Sequence, residues 1–204
     1  MREIKTTLIL FVVFCIIFSS LTACTESGSN TANSAGTSPA NETDTAAKSS
    51  SIYPKLASGI ADAEMELLDG TMFKVSDRKG KVLLLNIWGT WCGPCRAEMP
   101  HLIAMQNKYR DQGFEVLGLN IGDGSGTPET IEQIKTFAAS MKLNYTLARI
   151  QNSTTQHFYQ ISKQQVVPQT LLVDREGRLR GVFVGGGQRI VESMYATLDK
   201  TMAE

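Results

Sequence analysis

Two cysteines separated by two residues, Cys92-Gly93-Pro94-Cys95, carry the clearest chemical signal in the chain. An apolar run ending in Trp88 precedes them and a helical pattern follows, so Cys92 falls at a strand-to-helix junction. If Cys92 caps that helix, the first-turn N–H groups and the helix dipole favour its thiolate, drawing the pKa from about 8.5 toward about 7. Cys95 lies within one turn, close enough to close a disulfide. Gly93 and Pro94 suit the tight first turn, where proline has no N–H to leave unpaired. This is a dithiol-exchange pair: Cys92 attacks a substrate disulfide and Cys95 resolves the mixed disulfide. The competing reading is half of a zinc site, but the other cysteines are Cys15 and Cys24, and His101 and His157 are not spaced as partners. No metal is expected, and thiol exchange requires no cofactor.

Glu98 stands three residues beyond Cys95, on the helix face that points back toward the cysteines. On spacing alone it can equally be a surface glutamate helping with the helix dipole. Pro100 removes the N–H that would bond the Arg96 carbonyl and is expected to kink the helix. Trp88 reads as core, whereas Trp91 reads as lining the substrate surface. Gly122-Asp123-Gly124-Ser125-Gly126 lacks the Lys-Ser/Thr ending of a phosphate loop and reads as a flexible connection. Gly185-Gly186-Gly187 reads as a turn, and the methionines as core filler.

The elements that must position these residues alternate between strand and helix. Glu64–Leu68 and Met72–Val75 flank Asp69-Gly70, the turn chemistry of a small hairpin. Val82–Trp88 is nearly all apolar, as suits a strand buried on both faces, and Phe114–Asn120 repeats the pattern. Between them Cys92 to about Tyr109 reads as a helix ended by Asp111-Gln112-Gly113. A second helix is expected to start at Thr127-Pro128 and to carry Ile131, Ile134, Ala138 and Met141. A short strand at 145–147 and a helical patch at 154–159 follow. Thr170–Asp174 and Arg178–Val184 form a second hairpin around Arg175-Glu176-Gly177, and Gln188–Met202 closes with a helix. The fold class is α/β, a central mixed sheet flanked by helices on both faces.

The N-terminus reads as an address. Arg2 and Lys5 precede the apolar run Leu8–Phe18, the shape of a secretory signal; its 11 residues are too few for a membrane-spanning helix, which needs about 20. Leu21-Thr22-Ala23-Cys24 resembles the bacterial lipobox, which makes Cys24 an acylation site and residues 1–23 a lipoprotein signal peptide. The alternative is a plain signal peptide with an incidental cysteine. Residues 25–51 hold no Ile, Leu, Val, Met, Phe, Tyr or Trp, so 24–54 reads as a flexible linker with a reach of roughly 30 Å, and 55–204 as the folded domain. Lys+Arg and Asp+Glu balance at 20 each, which argues against a nucleic-acid partner.

The run Asn86-Ile87-Trp88-Gly89-Thr90-Trp91-Cys92-Gly93-Pro94-Cys95-Arg96-Ala97-Glu98-Met99-Pro100, followed by Val167-Pro168-Gln169-Thr170-Leu171-Leu172-Val173-Asp174, resembles the thioredoxin superfamily. Within it, the chain is similar to the membrane-anchored TlpA- and ResA-like thiol-disulfide oxidoreductases, from about Ala63 to the C-terminus. The resemblance implies a thioredoxin-like fold with an N-terminal β-hairpin and an insertion after the second core strand. It also implies a cis-proline at Pro168 facing the disulfide, Val167 pairing through its backbone with an extended substrate, and Glu98 shuttling the Cys95 proton. Trp91, Gly93 and Pro94 would complete the substrate surface. Thioredoxins carry a buried aspartate where this chain has Asn86, so the proton work falls to Glu98 or water.

The implied function is an extracytoplasmic reductase of disulfides in exported proteins, by family analogy apocytochrome c, re-reduced by a membrane thiol donor of CcdA/DsbD type. An alternative is an extracytoplasmic thioredoxin supplying electrons to methionine sulfoxide reductase or another repair enzyme. A peroxidase would need Pro-x-x-x-Thr-x-x-Cys before a lone cysteine, and Leu85 and Gly89 stand at those positions.

Overall fold

The computed structural model describes residues 52–204. The expected signal peptide, the acylated Cys24 and all but the last residues of the linker lie outside them. Among the described residues no helix is long and apolar enough to cross a membrane.

Seven strands form one sheet. Val82–Trp88 (β3) and Phe114–Asn120 (β4) run parallel at its centre, with every residue buried. Thr146–Arg149 (β5) joins β4 in parallel, and Met65–Leu67 (β1) and Met72–Phe73 (β2) extend that side antiparallel. On the other side Gln169–Val173 (β6) pairs antiparallel with β3, and Leu179–Val184 (β7) with β6. The order is β2-β1-β5-β4-β3-β6-β7, the mixed sheet expected.

Strand alternation divides the core. Leu83, Leu85, Ile87, Leu117, Leu119 and Leu171 point to one face, where Ile60 of Ser58–Ala61 (α1) and Phe158 of Asn152–Ser162 (α4) cover them. Val82, Leu84, Val116 and Leu172 point to the other, against Leu102 and Met105 of Gly93–Tyr109 (α2) and Met194 and Leu198 of Gln188–Met202 (α5). Two covered faces are why β3 reads as an unbroken apolar run. At the end of β3 and β4 a third cluster gathers Trp88, Cys92, Cys95 and Met99 with Ile134 of Ile131–Met141 (α3).

Several expectations need correction. The strand expected over Met72–Val75 ends at Phe73, and Val75–Arg78 form a 3-10 turn. Helix α3 starts not at Thr127 but after Thr130, whose hydroxyl accepts from Gln133 N at 3.2 Å while Gln133 Oε1 accepts from Thr130 N at 2.8 Å. Thr127 is engaged elsewhere. The Asp123 carboxylate accepts from the N–H groups of Ser125 and Thr127 at 2.8 and 2.9 Å, so residues 122–126 form a tied loop rather than a loose connection. Strand β5 and helix α4 also lie beyond their expected spans of 145–147 and 154–159. Arg149 belongs to β5 because it pairs with Glu66 of β1, a partner no local pattern identifies. Helix α2 continues through Pro100.

Candidate active site

Strand β3 delivers the chain to the sheet's carboxyl end, and α2 begins at once. Cys92 is its N-cap, in extended backbone, with Pro94 in the first turn. Cys92 and Cys95 are joined in a disulfide with Cα atoms 5.3 Å apart, and Cys95 N donates to Cys92 Sγ at 3.2 Å. Both cysteines are nearly enclosed, whereas Gly93 and Pro94 are exposed, so the turn between the sulfurs forms the open edge of the site.

The Val167–Pro168 peptide bond is cis. Val167 packs against the cluster that holds both cysteines. Pro168 O accepts from Gly185 N at 2.9 Å, whereas no hydrogen bond among the described residues engages the Val167 backbone. Gly186 packs against the redox turn: a Cβ there would lie 3.3 Å from Pro94 Cβ. The sequence marked that glycine run only as a turn. Trp91 is 49% exposed and Val166 46%, leaving apolar surface beside the disulfide. Trp91 does not swing freely, because its indole N–H donates to the Gly122 carbonyl at 2.9 Å. Trp88 is fully buried and stacks on Phe137 with ring centres 5.2 Å apart.

Glu98 is not a surface residue: it is 2% exposed, beneath the cysteines. Its Oε1 accepts from Asn86 Nδ2 at 2.9 Å and from the Thr170 hydroxyl at 3.3 Å, drawing β3, α2 and β6 into one polar contact. Burial pushes its pKa up from 4.5 to about 7, with the Thr170 hydrogen bond opposing the shift. Glu98 Oε2 has no partner among the described residues, and neither do Tyr145 Oη or Trp88 Nε1, which are equally enclosed. Gly118 lets those two residues approach each other, since a Cβ there would lie 3.0 Å from Tyr145 Cε2 and 3.2 Å from Trp88 Nε1. Burial and the nearby Glu98 charge both hold the Tyr145 hydroxyl in its protonated form.

One positioning residue escaped the sequence reading. Glu129 is 6% exposed, and its Oε1 accepts from Thr90 N at 3.2 Å and Thr90 Oγ1 at 2.6 Å. Its Oε2 accepts from Asn120 Nδ2 at 2.8 Å. The carboxylate thus ties the residue two before Cys92 to the end of β4. A glutamate after Pro128 reads locally as first-turn helix acid, and nothing in the local pattern names Thr90 as its partner. Among the described residues no group of three or more His, Cys, Asp or Glu is placed to hold a metal ion.

A dithiol at a helix N-cap, a buried carboxylic acid one turn away and an unpaired backbone next to a cis-proline together suit disulfide exchange with an extended chain. Known thiol-disulfide oxidoreductases are similar to the chain. Thiol-disulfide oxidoreductase ResA of Geobacillus thermodenitrificans is 30% identical over 118 residues, 58% of this chain and 63% of that protein. ResA of Bacillus subtilis is 30% identical over 121 residues, 59% and 63%. The match therefore spans less than two thirds of the length of these relatives. A solved structure, a putative thiol:disulfide interchange protein DsbE from Chlorobium tepidum, superposes with a TM-score of 0.59 at 26% identity, covering 74% of this chain and 96% of that one. The matched part is nearly the whole of that solved chain. From α1 into β7, residues 57–182 match the AhpC/TSA family, and with its thioredoxin-like fold the chain belongs to that family.

Proposed function

We propose that the chain is an extracytoplasmic thiol-disulfide oxidoreductase that reduces disulfides in exported proteins through the Cys92–Cys95 couple. The observation that carries this reading is the disulfide at the N-cap of α2, enclosed except at Gly93-Pro94 and bordered by Val167 and the cis-proline. In the reduced state the Cys92 thiolate, favoured by the helix terminus, attacks a client sulfur; an S–S bond to the client forms and the client's second thiolate leaves. Cys95 then loses its proton and attacks Cys92 Sγ, which releases the client dithiol and returns the disulfide. Two electrons pass to the client, and a membrane dithiol donor of CcdA/DsbD type restores them.

Glu98 is the base for the Cys95 proton, since a pKa of about 7 lets it both accept and release a proton near neutral pH. Trp91 and Val166 supply apolar contact and Val167 its unpaired backbone, so an extended client segment is held by main chain rather than by sequence. Apocytochrome c, whose haem-attachment cysteines must be reduced, fits this chemistry. Acylation at Cys24 would hold the domain at the membrane on a tether.

The test is the reduction potential of the couple, measured in defined thiol/disulfide buffers by tryptophan fluorescence. A value near or below about −230 mV supports a reductase; a value near −120 mV makes the protein an oxidant and overturns the reading. Disulfide reduction by the wild type that vanishes in Cys92→Ser completes it.

A further inference from the structure

The pole of the sheet opposite the disulfide carries a concavity that the redox chemistry does not use. Strand β3 begins there and β6 ends there, and the 7 residues of β3 set it about 23 Å from the redox turn at roughly 3.3 Å per residue. The cavity has a volume of about 430 Å³, within the range of sites for small ligands. Its floor is apolar, formed by the buried side chains of Leu56, Val75, Leu83 and Val173.

Its walls are cationic. Lys55, Arg78, Lys79, Lys81 and Arg175 line it, against Asp174 and Glu176. Lys81 is neutralised by Glu115 at 2.8 Å, but the other four make no ion pair among the described residues. Lys55 donates to the Glu176 carbonyl, Arg175 to the Gln112 carbonyl at 3.4 Å, and Arg78 lies over the Phe73 ring at 5.3 Å. The two acids are already engaged by cations outside the cavity. Asp174 holds Arg180 at 3.5 Å and accepts from Arg178 N at 2.7 Å, and Glu176 faces the Arg178 guanidinium at 4.0 Å. A chain with no net charge thus concentrates uncompensated positive charge over an apolar floor at one pole.

Phosphate on an amphiphilic body is the chemistry this surface complements, with the anion among ammonium and guanidinium groups and the apolar portion on the floor. Where the chain enters the fold decides the source. Pro54 O accepts from Leu179 N at 2.8 Å, so the polypeptide joins the sheet at the rim of this cavity, with Lys55 in the wall and 51 residues preceding the described ones. We infer that the cavity docks anionic phospholipid headgroups, seating the domain with this pole on the bilayer and the Cys92–Cys95 pair turned away from it, a seat the domain leaves when the pair meets its membrane donor. The choice of headgroups as the source and the orientation rest on the membrane-bound reading above; the complementarity to an amphiphilic phosphate does not.

The experiment uses residues 52–204, first checked for cooperative urea unfolding, in co-sedimentation with vesicles of phosphatidylcholine alone or mixed 7:3 with phosphatidylglycerol. Binding is expected to the mixed vesicles only, and to fall as salt is raised from about 50 to about 500 mM. Each cation at an anionic surface is worth roughly fivefold, so Lys55→Gln/Arg78→Gln/Lys79→Gln/Arg175→Gln should weaken binding at least about 100-fold. The same set without Arg78→Gln leaves the Phe73 contact intact and should still lose at least about 30-fold. Equal binding to both vesicles, or unchanged binding by both variants, overturns the proposal. So does binding of inorganic phosphate with no binding to vesicles, which would make this a site for a free anion. Disulfide reduction by the variants should equal wild type. If wild type lacks reductase activity yet binds the mixed vesicles, the functional reading fails and this one stands.

Discussion

Asn86 on β3 donates to Glu98 on α2 at 2.9 Å, and the same amide nitrogen lies 2.9 Å from the Thr170 hydroxyl on β6. An amide cannot exchange a proton, but this one fixes Glu98 Oε1 and leaves Oε2 as the carboxylate oxygen without a partner among the described residues. Orientation and proton transfer are thereby divided between two residues on neighbouring elements. The amide also offers the carboxylate a hydrogen bond without adding a second buried charge beneath the cysteines.

Glu98 makes stability depend on pH. Its folded pKa of about 7 lies above the ordinary 4.5, so the folded protein holds the proton more tightly than the unfolded chain does. The associated stability is fully present below pH 4.5, declines as pH rises toward 7 and is absent above it, a span of up to about 3 kcal/mol. Urea unfolding of the oxidised protein at pH 5 and pH 8 should show this decline in the wild type and not in Glu98→Gln. Parallel behaviour of the two proteins would contradict it.

The same substitution should lengthen the life of the mixed disulfide. With no base for the Cys95 proton, resolution is expected to slow roughly tenfold or more near neutral pH while Cys92 attack changes little. Rapid acid quenching followed by mass analysis of the trapped client adduct measures this. Equal slowing of both steps would point to distortion of the turn instead.

Removing a hydroxyl should have opposite effects at two tyrosines. Tyr145 Oη is buried without a partner among the described residues, so Tyr145→Phe should leave stability unchanged or raise it by about 1 kcal/mol. Tyr109 donates to Asp199, and Tyr109→Phe should lower stability by about 1 kcal/mol. Chemical denaturation of both variants separates the cases.

Glu129→Ala leaves the Thr90 N–H and the Asn120 amide without their acceptor and should cost about 3 kcal/mol. Glu132→Ala, three residues on, removes an 83% exposed side chain with a 3.5 Å ion pair and should cost less than about 0.5 kcal/mol. Similar losses in the two variants would remove Glu129 from the support of the redox turn.

Gly89→Ala tests the hold on Trp91. Its Cβ would lie 2.4 Å from Trp91 Nε1 and 3.0 Å from the Gly122 carbonyl oxygen, so the indole must leave that hydrogen bond. Red-shifted Trp91 fluorescence, read in a Trp88→Phe background, is the expected outcome. An unshifted spectrum would mean that the loop yields and the indole stays.

Periodicity made the centre of this fold legible. Strands β3, β4 and β6 are buried on both faces, and α2 follows the cysteine motif without interruption, so local pattern and tertiary environment agree. Partners far away in sequence were not legible. The register of β1 against β5 and the bond of Thr90 to Glu129 depend on chain closure, whereas Asp123 engages Thr127 only four residues away, a local turn that competes with the helix start Thr127-Pro128 suggests. At Glu98 the sequence left two readings, because helical spacing fixes a face but not what covers it; Asn86 and Thr170, from two other strands, decide the matter. Residues 52–62 add α1 and an early chain crossing onto β7 that no apolar period announced.

Thr90 and Trp91 are held by Glu129 and Gly122, in a segment that contributes neither a sulfur nor a core strand. Surface connections of this kind change more readily than the elements they join. Evolution therefore has a handle on the redox turn that leaves the reacting atoms alone: exchanging or resizing residues 121–130 shifts the posture of Cys92 and the outline of the client surface together, while the dithiol and the sheet beneath it stay constant.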